Sequence, residues 1–465
     1  MAFDIRALLY NLPEVKHPTE KKLSFNVKLK WTLIILGAFF ILANISLYGL
    51  DTNSLARFEY LAIILGTDFG SIISLGIGPI VMASIILQLL VGSGILKIDT
   101  KTVEGKKYFQ GLQKIGVLFF IVFEAMVYVL MGGLQAAPGY TGILIFQLIL
   151  GGLAIMLMDE VTTKWGFGSG VSLFIVAGVA WRLFAGLFQF LGPNGENCLR
   201  DFVGTPCAGK LFVIIQGFIN AAPKESLAAF ATIAITVVIF LGVVWAQSLK
   251  VEIPLSYERL RGYNMKWPLQ FFYASNLPVI LTAALVANIQ LFGGLLQQWL
   301  GRPTFIGEFS QGQPISGVAY WLGTSNIVES LIKGSFQWIQ LGQAFVHILF
   351  YCVFAAVFAV FWVKTSGMDE SSQAKNILNS GLQMPGFRKD ERILEAILKR
   401  YIMPLTIMGG IAIGLLASLA DTLGALESGT AILLGVTIIY QLYQNIAQQH
   451  AMDMHPAMKK MMGTG

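Results

Sequence analysis

The sequence predicts an all-α polytopic membrane protein, and three observations carry that expectation. Hydrophobic residues make up 55% of the 465 residues and charged residues only 12%, with a mean hydropathy of +0.68. A soluble chain carries about 25% charge, and so few charged groups cannot clothe a water-facing surface of this size. The apolar residues gather into ten runs, each near the roughly 20 residues that a helix needs to cross a bilayer. The lysines and arginines fall unevenly between those runs, as the positive-inside bias of membrane proteins requires.

In chain order, residues 1–30 form a polar, basic, amphipathic N-terminal segment. No cleavable signal peptide is visible in it, because the first apolar run starts only at Trp31. The predicted spans are 31–49, 72–92, 113–133, 141–158, 169–191, 226–247, 271–297, 341–363, 401–420 and 428–447. Stretches such as Ile115–Met131 and Ala228–Val244 are unambiguous, whereas span 2 is broken by Gly76, Gly78 and Pro79. With the N-terminus inside, only Arg57, Arg182, Arg200, Lys210, Lys224, Arg302 and Lys333 face outward, which is 7 of the 32 basic residues. The other 25 then lie in cytoplasmic segments, and both termini are cytoplasmic. The same placement accounts for the excess of 32 basic over 26 acidic residues without any nucleic-acid-binding domain.

Ten spans with both ends on one side fit two five-span halves, residues 31–191 and 226–447. An odd span number per half forces opposite orientations, a recurrent architecture for passages through membranes. No convincing similarity between the halves is visible along the sequence, so inversion is an expectation. The remaining segments are an external loop at 192–225, cytoplasmic loops at 248–270 and 364–400, and a cytoplasmic tail at 448–465.

Catalysis has little support. The chain contains no P-loop, no GxSxG and no HExxH. Its four histidines, His17, His347, His450 and His455, are scattered without metal-ligand spacing. A non-enzyme with no metal and no cofactor is therefore expected. Three cysteines cannot build a disulfide framework. Cys198 and Cys207 share the external loop and are candidates for one disulfide, while Cys352 lies in span 8 and reads as a packing residue.

Between spans 1 and 2, Leu55–Gly66 is apolar and helix-competent but too short to cross. Thr67, Asp68, Phe69 and Gly70 interrupt it before the chain re-enters. It reads equally as a re-entrant element, tolerated at depth only when protein buries it or it lines a cavity, and as an interfacial helix on the outer surface. Ionisable groups within the spans are scarce. Glu124 is the only acid well inside one; Asp159 and Glu160 close span 4, and Arg182 lies toward the outer end of span 5. One carboxylate is a thin basis for ion coupling, so Glu124 reads as a neutral or hydrogen-bonded helix contact rather than a proton carrier. The amides Gln88 in span 2 and Asn276, Asn288 and Gln290 in or near span 7 read as interhelical glue, worth under about 2 kcal/mol each, or as contacts weak enough to open reversibly. In the two long basic loops, Arg259 and Arg261 beside Gly262, and Arg388 and Lys389 beside Gly386, suit phosphate-backbone contact. Positive-inside bias explains their charge equally well.

Several stretches together resemble one known family. They are LPEV with KLKWT (12–15, 28–32), SLGIGPIVMASIILQLLVGSG (74–94), FGSGVSLFI (167–175), RGYNMKWPLQFFYASNLPVIL (261–281), ANIQL (287–291), SGLQMPGFRKDER (380–392) and GTAILL (429–434). They run in order through nearly all spans, and on them the chain resembles the SecY family, the large subunits of the Sec protein-conducting channel, looking closest to the archaeal members. The resemblance implies two inverted halves around a central hourglass pore with a short plug helix. It implies a pore ring of Ile77, Val81, Val171, Ile175, Ile280 and Leu434, all aliphatic here as a narrow dewetting constriction requires. Read from the residues alone, each would be ordinary core.

The same resemblance makes Leu55, Ala56, Phe58, Leu61, Ile63, Ile64, Leu65 and Gly66 the plug. It makes Gln88, Glu124 and Asn288 polar contacts of a lateral gate, spans 2 and 3 against 7 and 8, with Met82 standing where a hydroxyl residue is often found. Arg259, Arg261, Lys266, Arg388 and Lys389 become ribosome-contact residues. The implied function is a passive pore in the cell membrane that translocates secretory polypeptides and releases transmembrane segments laterally, driven by the ribosome or another external partner. Implied partners are SecE, a small beta-type third subunit, the translating ribosome with its RNA and proteins, signal sequences and nascent polypeptides, and lipid. Two other readings stay open at this stage: a secondary transporter of small solutes using Glu124, and an integral scaffold for membrane insertion.

Overall fold

The computed structural model describes residues 14–19, 23–53, 69–92, 95–96, 98, 102–192, 196–200, 202, 204–257, 264–274, 277–310, 313–383 and 390–454. Its chain divides into two compact units, Met1–Val179 with Ile438–Gly465, and Ala180–Thr437.

The first unit is built from α1 (Phe25–Ala43), β1 (Leu50–Asn53), α2 (Gly78–Gly92), α3 (Val103–Leu130), β2 (Leu134–Ala136), α4 (Thr141–Trp165) and the start of α5 (Gly170–Phe188). Thr102 caps α3, its Oγ1 accepting from the Gly105 amide at 3.1 Å. The packing spine is α4, where Leu144, Leu148, Gly151, Gly152 and Ile155 recur at helical spacing and are all buried. Other apolar side chains on it, such as Phe146 and Leu150, are exposed, as a lipid-facing surface requires.

Several predicted boundaries shift here; α3 starts before the expected residue 113 and α4 runs on past 158. Span 1 was expected to reach residue 49, but α1 stops at Ala43. Span 2 was expected from residue 72, but 72–77 is a series of turns and α2 starts only at Gly78. The displaced residues pair with one another instead: the Leu47 amide donates to the Gly70 carbonyl at 2.8 Å and the Ile72 amide to the Ile45 carbonyl at 2.9 Å. Beyond this ladder, β1 pairs antiparallel with β2.

The second unit continues α5 and adds α6 (Lys210–Ile219), α7 (Pro223–Ser248), β3 (Lys250–Tyr257), β4 (Asn264–Gln270), α8 (Leu277–Leu300), β5 (Glu308–Ser310) and β6 (Gln313–Ser316). After these come α9 (Gly317–Trp321), α10 (Ile327–Lys333), α11 (Trp338–Thr365), α12 (Glu370–Asn379), β7 (Leu382–Gln383), α13 (Glu391–Leu423) and the start of α14 (Gly429–Met454), whose residues from Ile438 belong to the first unit. Helix α11 packs on α13 through small residues. A Cβ on Gly410 would lie 2.9 Å from the Ala356 Cα, and one on Gly414 would lie 2.9 Å from the Tyr351 carbonyl carbon. This small-xxx-small pattern lets membrane helices approach closely.

The described residues of the predicted loops at 248–270 and 364–400 form strands and helices. Strands β3 and β4 form an antiparallel hairpin from Lys250↔Gln270 to Ser256↔Asn264, and β7 adds a third strand against β3. Helix α13 has 33 residues, about 50 Å at 1.5 Å per residue, so it outruns a hydrocarbon core of about 30 Å. Its first turns, with α12, close a core of Ile253, Leu255, Leu269, Ala374, Ile377, Leu394, Leu398 and Ile402 beneath the hairpin. The length of both basic segments follows from this shared core. The predicted external loop 192–225 likewise contains α6.

Among the described residues, eight helices are long and apolar enough to cross a membrane: α1, α3, α4, α5, α7, α11, α13 and α14. The expected spans 2 and 7 fall on α2 and α8, whose described apolar stretches are shorter.

Candidate functional site: the aliphatic positions and the groups that hold them

The irregular segment before α2 is the most constrained part of the first unit. Ile73, Leu75 and Ile77 are almost fully buried, and Gly76 takes φ +53°, a conformation that other side chains rarely adopt. The Ser74 hydroxyl donates to the Ser71 carbonyl at 2.5 Å and accepts from the Gly70 amide at 2.9 Å. Burial with local hydrogen bonding is what permits non-helical backbone inside a membrane protein. The segment delivers Ile77 to the mouth of α2, where its carbonyl accepts from the Val81 amide at 3.0 Å. Ile77 and Val81 are therefore one helical turn apart.

On α5 the same spacing separates Val171 from Ile175. The rotation of α5 is set by Phe174, fully buried and stacked on Phe39 of α1 with ring centroids 5.0 Å apart. At its first turn the Val171 amide donates to Asp159 Oδ1 of α4 at 2.9 Å. Of these four, Ile77 and Ile175 are buried while Val81 and Val171 are half-buried.

In the second unit, Ile280 lies half-buried in the first turn of α8 and Leu434 is buried in α14. The start of α14 is held by the Gly429 amide donating to Asp421 Oδ1 at 2.7 Å. Further along, the Gln247 amide group of α7 donates to the Thr437 hydroxyl.

Of the expected gate contacts, Gln88 is exposed on α2, and Glu124 is half-buried on α3, one turn before Tyr128. The Asn288 side chain lies outside the described residues. A polar contact that sequence reasoning missed joins α2 to α3: Gln113 Nε2 donates to the Ser84 hydroxyl at 2.7 Å, and that hydroxyl donates to the Ile80 carbonyl at 2.8 Å. Ser84 inside an apolar run was its only signal. The expected plug residues Leu55 to Gly66 lie outside the described residues, as do Arg259, Arg261, Arg388 and Lys389. Lys266 is described on β4, where its Nζ lies 2.7 Å from Glu252 Oε2.

Cys198 and Cys207 are bonded, with Cα atoms 5.3 Å apart. Gln216 of α6 pins the same loop, accepting from the Cys207 amide at 3.0 Å and donating to the carbonyls of Phe202 and Thr205 at 2.9 and 2.8 Å. Among the described residues, no group of three or more His, Cys, Asp or Glu side chains is arranged to hold a metal ion.

The sequence pattern that defines the SecY family matches residues 71–443. The chain belongs to the SecY family. The protein translocase subunit SecY of Methanothermobacter thermautotrophicus is 44% identical over 460 residues, 97% of each chain. Among solved structures, a SecY protein whose plug domain is described as stabilising the closed state of its translocation channel and maintaining a membrane seal matches 97% of this chain and 99% of its own. The TM-score is 0.74 and the identity 37%. Canine Sec61 from a ribosome–channel complex of the endoplasmic reticulum matches over the same shares, with TM-score 0.72 and 36% identity. As a SecY-family chain it is a helical, multi-pass membrane protein, and the family resemblance read from the sequence motifs holds.

Proposed function

We propose that this chain is the pore-forming subunit of a protein-conducting channel in the cell membrane, moving secretory polypeptides across and releasing transmembrane segments sideways into lipid. The observation that carries the reading is the likeness to the SecY translocation channel over 97% of the chain, together with aliphatic residues at all six expected ring positions. Branched aliphatic side chains at a constriction disfavour water and ions, yet they deform around a passing chain. Ile77, Val81, Val171, Ile175, Ile280 and Leu434 would line that constriction, and Leu55–Gly66 would close it. Gln88, Glu124 and Asn288 would belong to the lateral gate. Both termini would be cytoplasmic, which puts the β3–β4 hairpin and the 384–389 segment on the side reached by ribosomes. The likeness to Sec61 in a ribosome–channel complex supports Arg259, Arg261, Lys266, Arg388 and Lys389 as a docking surface for ribosomal RNA. A SecE-type subunit and a small third subunit would complete the channel, and the driving force would come from the ribosome or another partner rather than from catalysis by this chain.

The test is ion flux in proteoliposomes holding the assembled channel. Replacing Ile77, Val81 and Ile280 together by Gly should make the resting membrane leak, whereas Glu124→Gln should not abolish any gradient-driven solute uptake. A tight membrane in the triple variant would sink the pore reading.

A further inference from the structure

The starts of α5 and α14 are built alike. Each begins with a Ser-Gly pair, Ser169-Gly170 and Ser428-Gly429. In each, the serine carbonyl accepts the first helical bond, from Leu173 at 3.2 Å and from Ile432 at 3.0 Å. The glycine is pressed onto the preceding long helix. A Cβ on Gly170 would lie 2.5 Å from the Asp159 Cα of α4, and one on Gly429 would overlap the Ala417 carbonyl of α13. An aspartate of that same preceding helix then caps the new one. Asp159 Oδ1 accepts from the Val171 amide at 2.9 Å, with the Gly170 amide also bonded to the carboxylate. Asp421 Oδ1 accepts from the Gly429 amide at 2.7 Å. The fifth residue after the glycine is Ile175 in one helix and Leu434 in the other. In chain order the joints are fourth span to fifth and ninth span to tenth, the same place in each five-span half.

We propose that Asp159 and Asp421 are matched positioning residues that set the register of the two helices carrying Ile175 and Leu434. The inference rests on the pore reading of those two side chains. A carboxylate accepting backbone amides at a helix start makes a charge-assisted bond and favours the positive end of the helix dipole. It also selects which amide comes first. A slip of one residue would rotate the helix by about 100° and carry Ile175 or Leu434 off its line. The close glycine contact removes the other freedom, sliding along the preceding helix. A serine cap alone would leave both freedoms open.

The assembled channel in proteoliposomes tests this through resting ion flux per assembled complex, measured beside the yield of complex. Asp159→Ala and Asp421→Ala should each raise resting flux several-fold, while Asp159→Asn and Asp421→Asn, which keep an acceptor oxygen, should stay near the unsubstituted level. A purely structural role would lower the yield of complex and leave flux per complex unchanged, and that result overturns the proposal. Should either Ala variant fail to assemble, Asp159→Glu and Asp421→Glu keep the charge but displace the carboxylate by one methylene. Leak is expected there too, and its absence also overturns the proposal. Ile175→Gly and Leu434→Gly separate the two levels. If these remain tight, the pore reading fails; if they leak while the aspartate variants do not, only the positioning role fails.

Discussion

Gly151 of α4 meets the carbonyl of Ile72 so closely that a Cβ at position 151 would overlap the oxygen. The contact is backbone on backbone, so no side chain can swing aside to relieve it. Gly151→Ala must displace either α4 or the turns at 72–77, and overpacking of this kind costs about 1–3 kcal/mol. A lower thermal midpoint of the detergent-solubilised protein is expected. Gly142→Ala on the same helix, where a Cβ meets nothing within 4 Å, should leave the midpoint unchanged or slightly raised. Equal midpoints for the two variants would show that the 72–77 turns are not held by this contact.

The same contact explains what could be read along the chain. Hydropathy locates Ile72–Gly92 as apolar, but whether its first residues coil or turn depends on Gly151 and Gly152, far away in sequence. Span positions were legible because each run satisfies the bilayer by itself. The β3–β4 hairpin was missed although its signal was present. Val251, Ile253 and Leu255 alternate with Lys250, Glu252 and Ser256, a strand period that Pro254 and the basic charge obscured. The six aliphatic positions proposed for the ring were beyond periodicity altogether, since a Leu or Val in an apolar helix carries no mark of its role. Asp159 was noticed only as the end of span 4, because its partner Val171 is contributed by the next helix.

The N-terminal segment at residues 14–16 is fastened mainly by one lysine. Lys164 Nζ, nearly buried, lies 2.9 Å from Glu160 Oε1, 3.1 Å from Glu14 Oε1 and 2.6 Å from the Val15 carbonyl. Lys114 holds the other Glu160 oxygen at 3.0 Å, and the Trp165 indole donates to the Lys16 carbonyl at 3.0 Å. Hydrogen bonds to charged groups contribute about 1.5–3 kcal/mol. Lys164→Met should therefore release residues 14–16, seen as faster amide hydrogen exchange there, while Lys114 keeps Glu160 paired and α4 protected. Unchanged exchange at 14–16 would mean that the indole contact alone suffices.

The loop preceding α6 is secured twice, by Cys198–Cys207 and by the three hydrogen bonds of Gln216. Closing a loop of this size limits the unfolded chain by at most about 3 kcal/mol in the chain-entropy account. Replacing both cysteines by Ser should lower the thermal midpoint modestly without disordering the loop, because Gln216 still binds the backbone at 202, 205 and 207. Adding Gln216→Ala should then make the loop cleavable by protease. Cleavage of the double serine variant at the same rate as the triple variant would remove Gln216 from the account.

Lys266 and Glu252, neighbours across the β3–β4 hairpin, are an exposed ion pair, and its main effect is on charge rather than stability. The Lys266 hydrogen bond holds the Glu252 carboxyl below the usual carboxylate range, and Glu252 in turn raises the Lys266 ammonium. A depressed carboxylate keeps its pair above its ordinary pKa and loses it as pH falls through the lowered one, so the pair is intact at neutral pH. Part of the attraction that Lys266 could offer to RNA phosphate is thus already answered. If the hairpin docks on the ribosome as proposed, Glu252→Gln should tighten co-sedimentation at low salt and steepen its salt dependence by up to about one phosphate contact. Lys266→Gln should weaken binding and flatten the same slope. Unaltered binding in both variants across a salt series would take Lys266 out of the docking surface and leave that role to Arg259, Arg261, Arg388 and Lys389.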